Sequence, residues 1–189
     1  NSQLTKTTKI SEATIVLDPG HGGSDSGALS SKGKMEKTYT LRVAKAVAKK
    51  LRAAGAHVVL TRDSDEYVGL SARPAIANKL HADAFISFHF DSSPEKNTAS
   101  GITTYYYHKS TSLALAKALN NNVSTLPIPS KGTDFGDFLV IRDNSRPSVL
   151  MELGYINDKS DFKTISSKKY PQEVAHAVYA GLSTYFANQ

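Results

Sequence analysis

The chain contains no cysteine in its 189 residues. This absence excludes disulfide bonds, zinc sites built on thiolates and a cysteine nucleophile, but it does not fix the redox compartment, since a domain of this size can be stable without crosslinks. No run approaches the roughly 18 to 20 apolar residues that a spanning helix needs, so we expect no membrane span. The metal-binding motif HExxH is also missing, so any zinc ligands must come from separate elements of the chain.

The composition is that of one ordinary globular domain. Hydrophobic residues make up 40% and charged residues 21% of the chain, which is enough apolar material for a packed core. The formal net charge of +6 suits association with polyanions, which include nucleic acids, anionic membranes and anionic cell-wall polymers. The basic residues are scattered rather than clustered with aromatic residues, which argues against a nucleic-acid partner.

Two regions differ in character. Residues 1–12 are rich in threonine, lysine and serine and predict a polar tether, whereas residues 13–189 predict one folded domain. Because the first residue is Asn1 rather than methionine, we expect a processed product or an excerpt. In the domain, apolar runs alternate with stretches of helical periodicity, which indicates an α/β sandwich around a mostly parallel sheet. Strands are predicted at 14–18, 57–61, 84–90, 101–107, 138–141 and 148–153, and helices at 41–51, 70–81, 111–122 and 171–186.

Ionisable residues stand where three of these strands end. His21 follows the first strand in a glycine-rich loop, and His89 and Glu152 lie near the ends of apolar strands. An ionisable group in such a strand costs free energy unless it is paired or bound to a metal, and the carboxyl ends of parallel strands are where sites gather. Each residue also has a simpler interpretation. His21 could be a turn histidine, His89 a core histidine bonded to a backbone carbonyl, and Glu36 an acidic residue favoured by the dipole of the helix it opens.

Considered together, these residues match a catalytic zinc set. Two imidazoles and one carboxylate hold zinc while leaving a position open for water, and a second carboxylate can take a proton from that water. Glu152, in an otherwise apolar run, has the profile of a general base whose pKa is raised by burial. Spacing in the sequence alone does not establish that these residues converge.

Six blocks of sequence carry a resemblance to a known family. They are IVLDPGHGG at 15–23, GKMEK at 33–37, VLTRD at 59–63, LSAR with AN at 70–78, ADAFISFH at 82–89 and PSVLMELGYIN at 147–157. In this order they resemble the zinc-dependent N-acetylmuramoyl-L-alanine amidases of the LytC/AmiC type, the amidase-3 family. The resemblance covers nearly all of residues 14–186.

The resemblance implies a fold, an activity and a set of site residues. The implied fold is a three-layer α/β sandwich with a mixed, mostly parallel sheet of about six strands. The implied activity is hydrolysis of the amide between N-acetylmuramic acid and the L-alanine of the peptidoglycan stem peptide. His21, Glu36 and His89 match the ligands of one Zn²⁺ ion. Glu152 matches the catalytic glutamate, which accepts a proton from the attacking water and passes it to the leaving nitrogen.

The same resemblance implies a setting and partners for the chain. It implies a bacterial or phage-derived autolysin that is secreted or associated with the cell wall or periplasm. We expect a monomer that acts on peptidoglycan, with anionic wall polymers as further partners. Arg142, beside the last predicted strands, is a candidate for gripping a carboxylate of the stem peptide, and an exposed arginine with no specific role is the alternative.

Two other functions fit parts of the sequence. A zinc peptidase acting on ordinary peptides would use the same ligands, and its products would distinguish it. A non-catalytic basic module that binds the cell wall would fit the charge, but such a module would be expected to lack at least one of the four site residues.

Overall fold

The computed structural model describes residues 6–189 as twelve main elements that follow a short 3₁₀ turn at Ile10–Glu12. The strands are β1 (Thr14–Pro19), β2 (His57–Leu60), β3 (Ala84–Asp91), β4 (Ile102–Tyr106), β5 (Ser130–Phe135) and β6 (Ser148–Tyr155). The helices are α1 (Glu36–Ala53), α2 (Ala72–Leu80), α3 (Lys109–Val123), α4 (Leu139–Arg142), α5 (Lys159–Ile165) and α6 (Tyr170–Ala187). Within the described part of the chain, no helix is both long and apolar enough to cross a bilayer.

The six strands form one mixed sheet in the order β2-β1-β3-β6-β4-β5. All neighbouring pairs are parallel except β4 with β6, which is antiparallel. This confirms the predicted mixed, mostly parallel sheet of about six strands. The central strands β1, β3 and β6 are apolar and almost wholly buried, as expected for parallel strands covered on both faces.

Helices cover both faces of the sheet and create two cores. The larger core lies under α1, α3 and α6 and includes Ile86, Phe88 and Met151. The smaller core lies under α2 and α4 and includes Phe85 and Leu150. Because side chains alternate along a strand, β3 and β6 therefore turn alternate residues toward the smaller helices.

The run 138–141 was wrongly predicted as a strand. Leu139–Arg142 forms a single helical turn that follows Phe138, and its Val140 and Ile141 are buried in the smaller core. A short apolar run does not separate a buried strand from a buried turn of helix, because burial satisfies either one. Tertiary packing decided the outcome, since the edge of the sheet is already occupied by β5.

Two elements were missed. The strand β5 reads SKGTDF, which is polar and only half buried because it lies at the sheet edge, so it carries no apolar signal. The short helix α5 begins after Asp158, whose side chain accepts a hydrogen bond from the Asp161 backbone N–H. The N-terminal segment that was predicted as a tether is described only from residue 6, and Thr7 donates a hydrogen bond to Asp83 at 3.0 Å.

Candidate metal centre and active site

His21 is presented by the tight loop that follows β1. Its backbone has a φ of 65°, which is a left-handed conformation that non-glycine residues seldom adopt. Its Nδ1 lies 2.8 Å from the Asp25 carboxylate, so the Nδ1–H donates to Asp25. This hydrogen bond fixes the ring orientation and leaves Nε2 directed at Glu36, whose Oε2 is 3.1 Å away.

Glu36 is the first residue of α1, where the helix dipole favours a carboxylate. Its side chain is almost wholly buried and accepts two backbone hydrogen bonds, from Ala28 N–H at 2.9 Å and from Phe90 N–H at 3.0 Å. Both bonds come from other segments, so the carboxylate is held in position from outside its helix.

His89 completes a three-residue group. The Nδ1 atom of His89 lies 3.3 Å from Glu36 Oε2, and the His21 and His89 rings pack edge to face with centroids 4.9 Å apart. One potential ligand atom from each of His21, Glu36 and His89 lies within 4.8 Å of the other two. Two donors about 2.0–2.1 Å from a tetrahedral zinc lie about 3.3 Å apart, and the separations of 3.1 and 3.3 Å between Glu36 Oε2 and the two histidine nitrogens match this value.

Two glycines make room for this group. A Cβ on Gly20 would lie 2.3 Å from the His89 ring, and a Cβ on Gly27 would lie 2.7 Å from both Glu36 Oε1 and the His21 ring. Real Cβ atoms do not approach so closely, so any other residue at either position would displace a member of this group. The glycine-rich loop is therefore part of the site's construction.

Glu152 lies beside this group on the neighbouring strand. It is the register partner of His89 in the parallel β3–β6 pair, so both side chains point to the same face of the sheet. Glu152 Oε2 is buried and has no hydrogen-bond partner among residues 6–189. Burial raises the pKa of the Glu152 carboxyl well above its ordinary value, and the nearby charges of Glu36 and Asp91 raise it further.

The group is electrostatically coupled. Burial alone would raise the pKa of Glu36, but the hydrogen bonds from His21 and His89 outweigh it and hold that pKa well below its usual range. Burial would lower the pKa of His21, but its contacts with Glu36 and Asp25 raise it overall. His21 can donate to both carboxylates only when it is doubly protonated, and a metal ion at Nε2 would supply the same positive charge.

Two buried arginines hold the loop that carries His21. Arg73 pairs with the buried Asp18 at 2.9 Å and donates to the carbonyl oxygens of Pro19 and His21 at 2.8 Å. Arg62 donates to the carbonyl oxygens of Pro19 and Gly20 at 3.0 Å. The loop backbone therefore has its carbonyls satisfied by rigid, always charged donors.

A cleft opens beside the metal-binding group on the side of α2 and α4. It encloses about 350 Å³ and is bounded by His21 and His89, with Phe138 and Leu139 on the α4 side and the exposed Tyr67 on the other. Such a mostly apolar cleft with convergent polar groups is typical of a substrate site.

Arg142 is the last residue of α4, the helical turn between β5 and β6. Its guanidinium is partly exposed and pairs with Asp137 at 2.9 Å and with Asp143 at 3.2 Å. These contacts raise the pKa of Arg142, with the Asp137 hydrogen bond the largest cause. Asp137 lines the cleft, so its partner Arg142 lies next to a cleft residue. A role for Arg142 in binding substrate stays a prediction.

Sequence reasoning did not single out Asp25, Asp18 or the two arginines. Arg62 and Arg73 stand inside the blocks that carry the family resemblance, which was the available signal. The signal for Asp25 was weaker, since it is only an acidic residue four positions after His21 in a glycine-rich loop.

Comparisons with known proteins identify the family of the chain. The family model for N-acetylmuramoyl-L-alanine amidase matches residues 15–184. The chain is 41% identical over 178 residues to the probable cell wall amidase LytH of Staphylococcus epidermidis, covering 93% of this chain and 59% of that protein. It therefore spans about three fifths of the length of that curated relative.

Solved structures show the same fold. N-acetylmuramoyl-L-alanine amidase AmiC2 of Nostoc punctiforme is 37% identical with a TM-score of 0.87, covering 92% of this chain and 96% of that one. N-acetylmuramoyl-L-alanine amidase from Clostridium difficile 630 is 33% identical with a TM-score of 0.88, covering 93% and 97% of the two chains. A family match over most of the described residues and relatives above 30% identity lead to one conclusion: this chain belongs to the N-acetylmuramoyl-L-alanine amidase family.

Proposed function

We propose that this chain hydrolyses the amide between N-acetylmuramic acid and L-alanine in peptidoglycan, using one zinc ion. The observation that carries the proposal is the convergence of His21, Glu36 and His89 beside the buried Glu152, in a member of this family. The cell wall amidase relatives support placing the protein outside the cell or on the wall.

The donor set fits zinc. Two imidazole nitrogens and one carboxylate oxygen form the three-ligand set of a catalytic zinc, with a fourth position free for water or substrate. The hydrogen bond from His21 to Asp25 is the outer contact that metal-bound histidines commonly make, and it keeps Nε2 available. When bound, the ion would polarise the scissile carbonyl and acidify water in the open position.

The protein's own residues would orient the reaction and move its proton. Glu152 would accept a proton from the attacking water and then donate it to the departing alanine nitrogen. Burial in an apolar strand raises the pKa of the Glu152 carboxyl, which is the environment in which enzymes tune a carboxylate to act as a general base. The cleft beside α4 would hold the substrate so that its carbonyl faces His21 and His89.

Product analysis tests the activity. Purified protein would be assayed for zinc and incubated with cell-wall fragments, and the products would be identified by mass spectrometry. We expect peptide-free glycan and peptides with a free L-alanine amino terminus. A zinc peptidase would instead cut within the peptide, and a wall-binding module would give no product.

The Glu152→Gln variant tests the assignment of the base. The amide cannot accept the proton, so we expect zinc to remain bound while turnover falls by about 10²–10⁴-fold. Zinc content and single-turnover rates would be measured on the same preparations. Undiminished turnover in this variant would reject Glu152 as the base.

A further inference from the structure

A second cavity lies outside the cleft and shares no lining residue with it. It encloses about 540 Å³ and is lined by four lysines, Lys32, Lys96, Lys159 and Lys163, together with serines and Asn97. None of the four lysines forms an ion pair within the described residues 6–189. The one carboxylate in the lining, Asp158, accepts the Asp161 backbone N–H at 2.9 Å and so caps α5.

Each segment that lines this cavity continues from a segment of the candidate active site. Ser30 and Lys32 precede Glu36 in the same loop, which is folded back by the Leu29–Met35 bridge. Ile156 follows Glu152 by four residues and lies just beyond the end of β6, so the chain separates the two by at most about 14 Å. A substrate peptide of about four residues starting at the metal-binding group would therefore reach the lysines.

The cavity is rigidly built. Lys159 N–H donates to Asn97 Oδ1 at 2.7 Å, and Asn157 Nδ2–H donates to Ser93 O at 2.7 Å, so the segments at 93–97 and 157–159 are tied together. Lys32 N–H donates to Ser30 Oγ at 3.2 Å. The backbone of the loops that carry the lysines is thus held in place before an anion binds, so the ordering cost of binding is confined to the lysine side chains.

We propose that this lysine-lined cavity binds the carboxylates of the substrate's stem peptide, a proposal that rests on the proposed function. The scissile amide is at the peptide's amino end, so the peptide extends away from the metal-binding group toward its carboxylate end. The cavity lining carries four lysine ammonium groups and one carboxylate, Asp158, which already accepts a hydrogen bond. The resulting positive charge complements the negative charge of the peptide's carboxylates. The half-buried Phe162 in the same lining offers apolar surface to the peptide's carbon chain.

The test compares two double variants with the same change in charge. Lys159→Gln/Lys163→Gln removes two lysines of the cavity, and Lys45→Gln/Lys49→Gln removes two exposed lysines of α1 at the same helical spacing. Each would be assayed on one muropeptide with free carboxyl groups and on the same muropeptide with those groups amidated. Inhibition by the released peptide would give a separate measure of binding.

We expect the cavity variant to raise KM for the free-carboxyl substrate by about 3- to 10-fold with kcat unchanged, since exposed ion pairs are individually weak. The same variant should weaken inhibition by the released peptide to a similar extent. The amidated substrate should show no difference between the cavity variant and wild type, and high salt should remove the effect.

Three results would overturn the inference. They are an unchanged KM and inhibition constant, an equal loss on the amidated substrate, and an equal loss in the α1 control. Inhibition by a phosphate polymer that disappears in the cavity variant, with peptide charge making no difference, would assign the cavity to that polymer instead. If wild type released no muramoyl-linked peptide, the proposed function would fail, and binding of the free peptide would still test the cavity.

Discussion

Gly20 allows the metal centre to be tested without changing any of its ligands. A Cβ at this position would lie 2.3 Å from the His89 Cε1 atom, about 1 Å short of ordinary van der Waals contact. Gly20 does not have a left-handed φ, so alanine suits its backbone. In Gly20→Ala we therefore expect the His89 ring to move by about 1 Å, which is half the length of a zinc–nitrogen bond of about 2.0–2.1 Å.

Mutation of a residue that only orients a zinc ligand lowers metal affinity by up to about 100-fold. Displacing one of the three ligands itself should therefore lower zinc affinity by at least about 100-fold. The dissociation constant would be measured by competition with a chelator. Overpacking of this kind costs about 1–3 kcal/mol of stability, which urea denaturation would measure. Gly69→Ala is the control, because a Cβ there meets nothing within 4 Å.

A double-mutant cycle separates the steric cause from general damage. Because the three atoms nearest to that Cβ all belong to the His89 ring, Gly20→Ala should cost less than about 0.5 kcal/mol when His89 is already alanine. Wild-type zinc affinity in Gly20→Ala would refute the reasoning. So would an equal loss of stability with and without the His89 ring.

Three further predictions concern the surrounding residues. In metal-free protein, the raised pKa of Glu152 means that the folded state loses stability as pH rises above about 4.5. The free energy of unfolding of Glu152→Gln, measured by urea denaturation, should therefore equal that of wild type near pH 4 and exceed it near pH 7. Equal pH profiles for the two proteins would contradict this. Asp25→Ala removes the acceptor of the His21 Nδ1–H and should lower zinc affinity by about 10- to 100-fold in a chelator competition, a result that unchanged affinity would exclude. Arg73→Met leaves the buried Asp18 without its ion pair and should cost about 3–5 kcal/mol in urea denaturation, whereas a loss below about 1 kcal/mol would show the pair to be dispensable.

Several candidate site residues could be predicted because their residue types are unusual in their immediate sequence context. Ionisable residues in apolar strands are rare enough to stand out, which singles out His89 and Glu152, and His21 stands out in the glycine-rich loop that follows the first strand. Glu36 was harder to recognise, because a carboxylate at a helix start has an ordinary explanation. Its backbone contacts with Ala28 and Phe90 come from other segments, and only the folded chain reveals them.

Some elements gave no usable signal. The edge strand β5 is polar because one of its sides has no neighbour, so its pairing with β4 comes from the sheet and not from its own residues. Leu139–Arg142 has strand-like composition, but packing against the smaller core made it a helical turn.

The alternation of apolar runs, the strand ends at which polar residues stand and the family resemblance can all be recognised in the amino-acid sequence. Hydrophobic periodicity reports which residues are buried, and burial determines the elements of the central sheet. The folded chain adds that three potential ligand atoms lie within 4.8 Å of one another, that Asp25 orients His21, and that four lysines share one cavity. These are relations between segments distant in the chain, and they arise from strand order and packing, which no local pattern encodes.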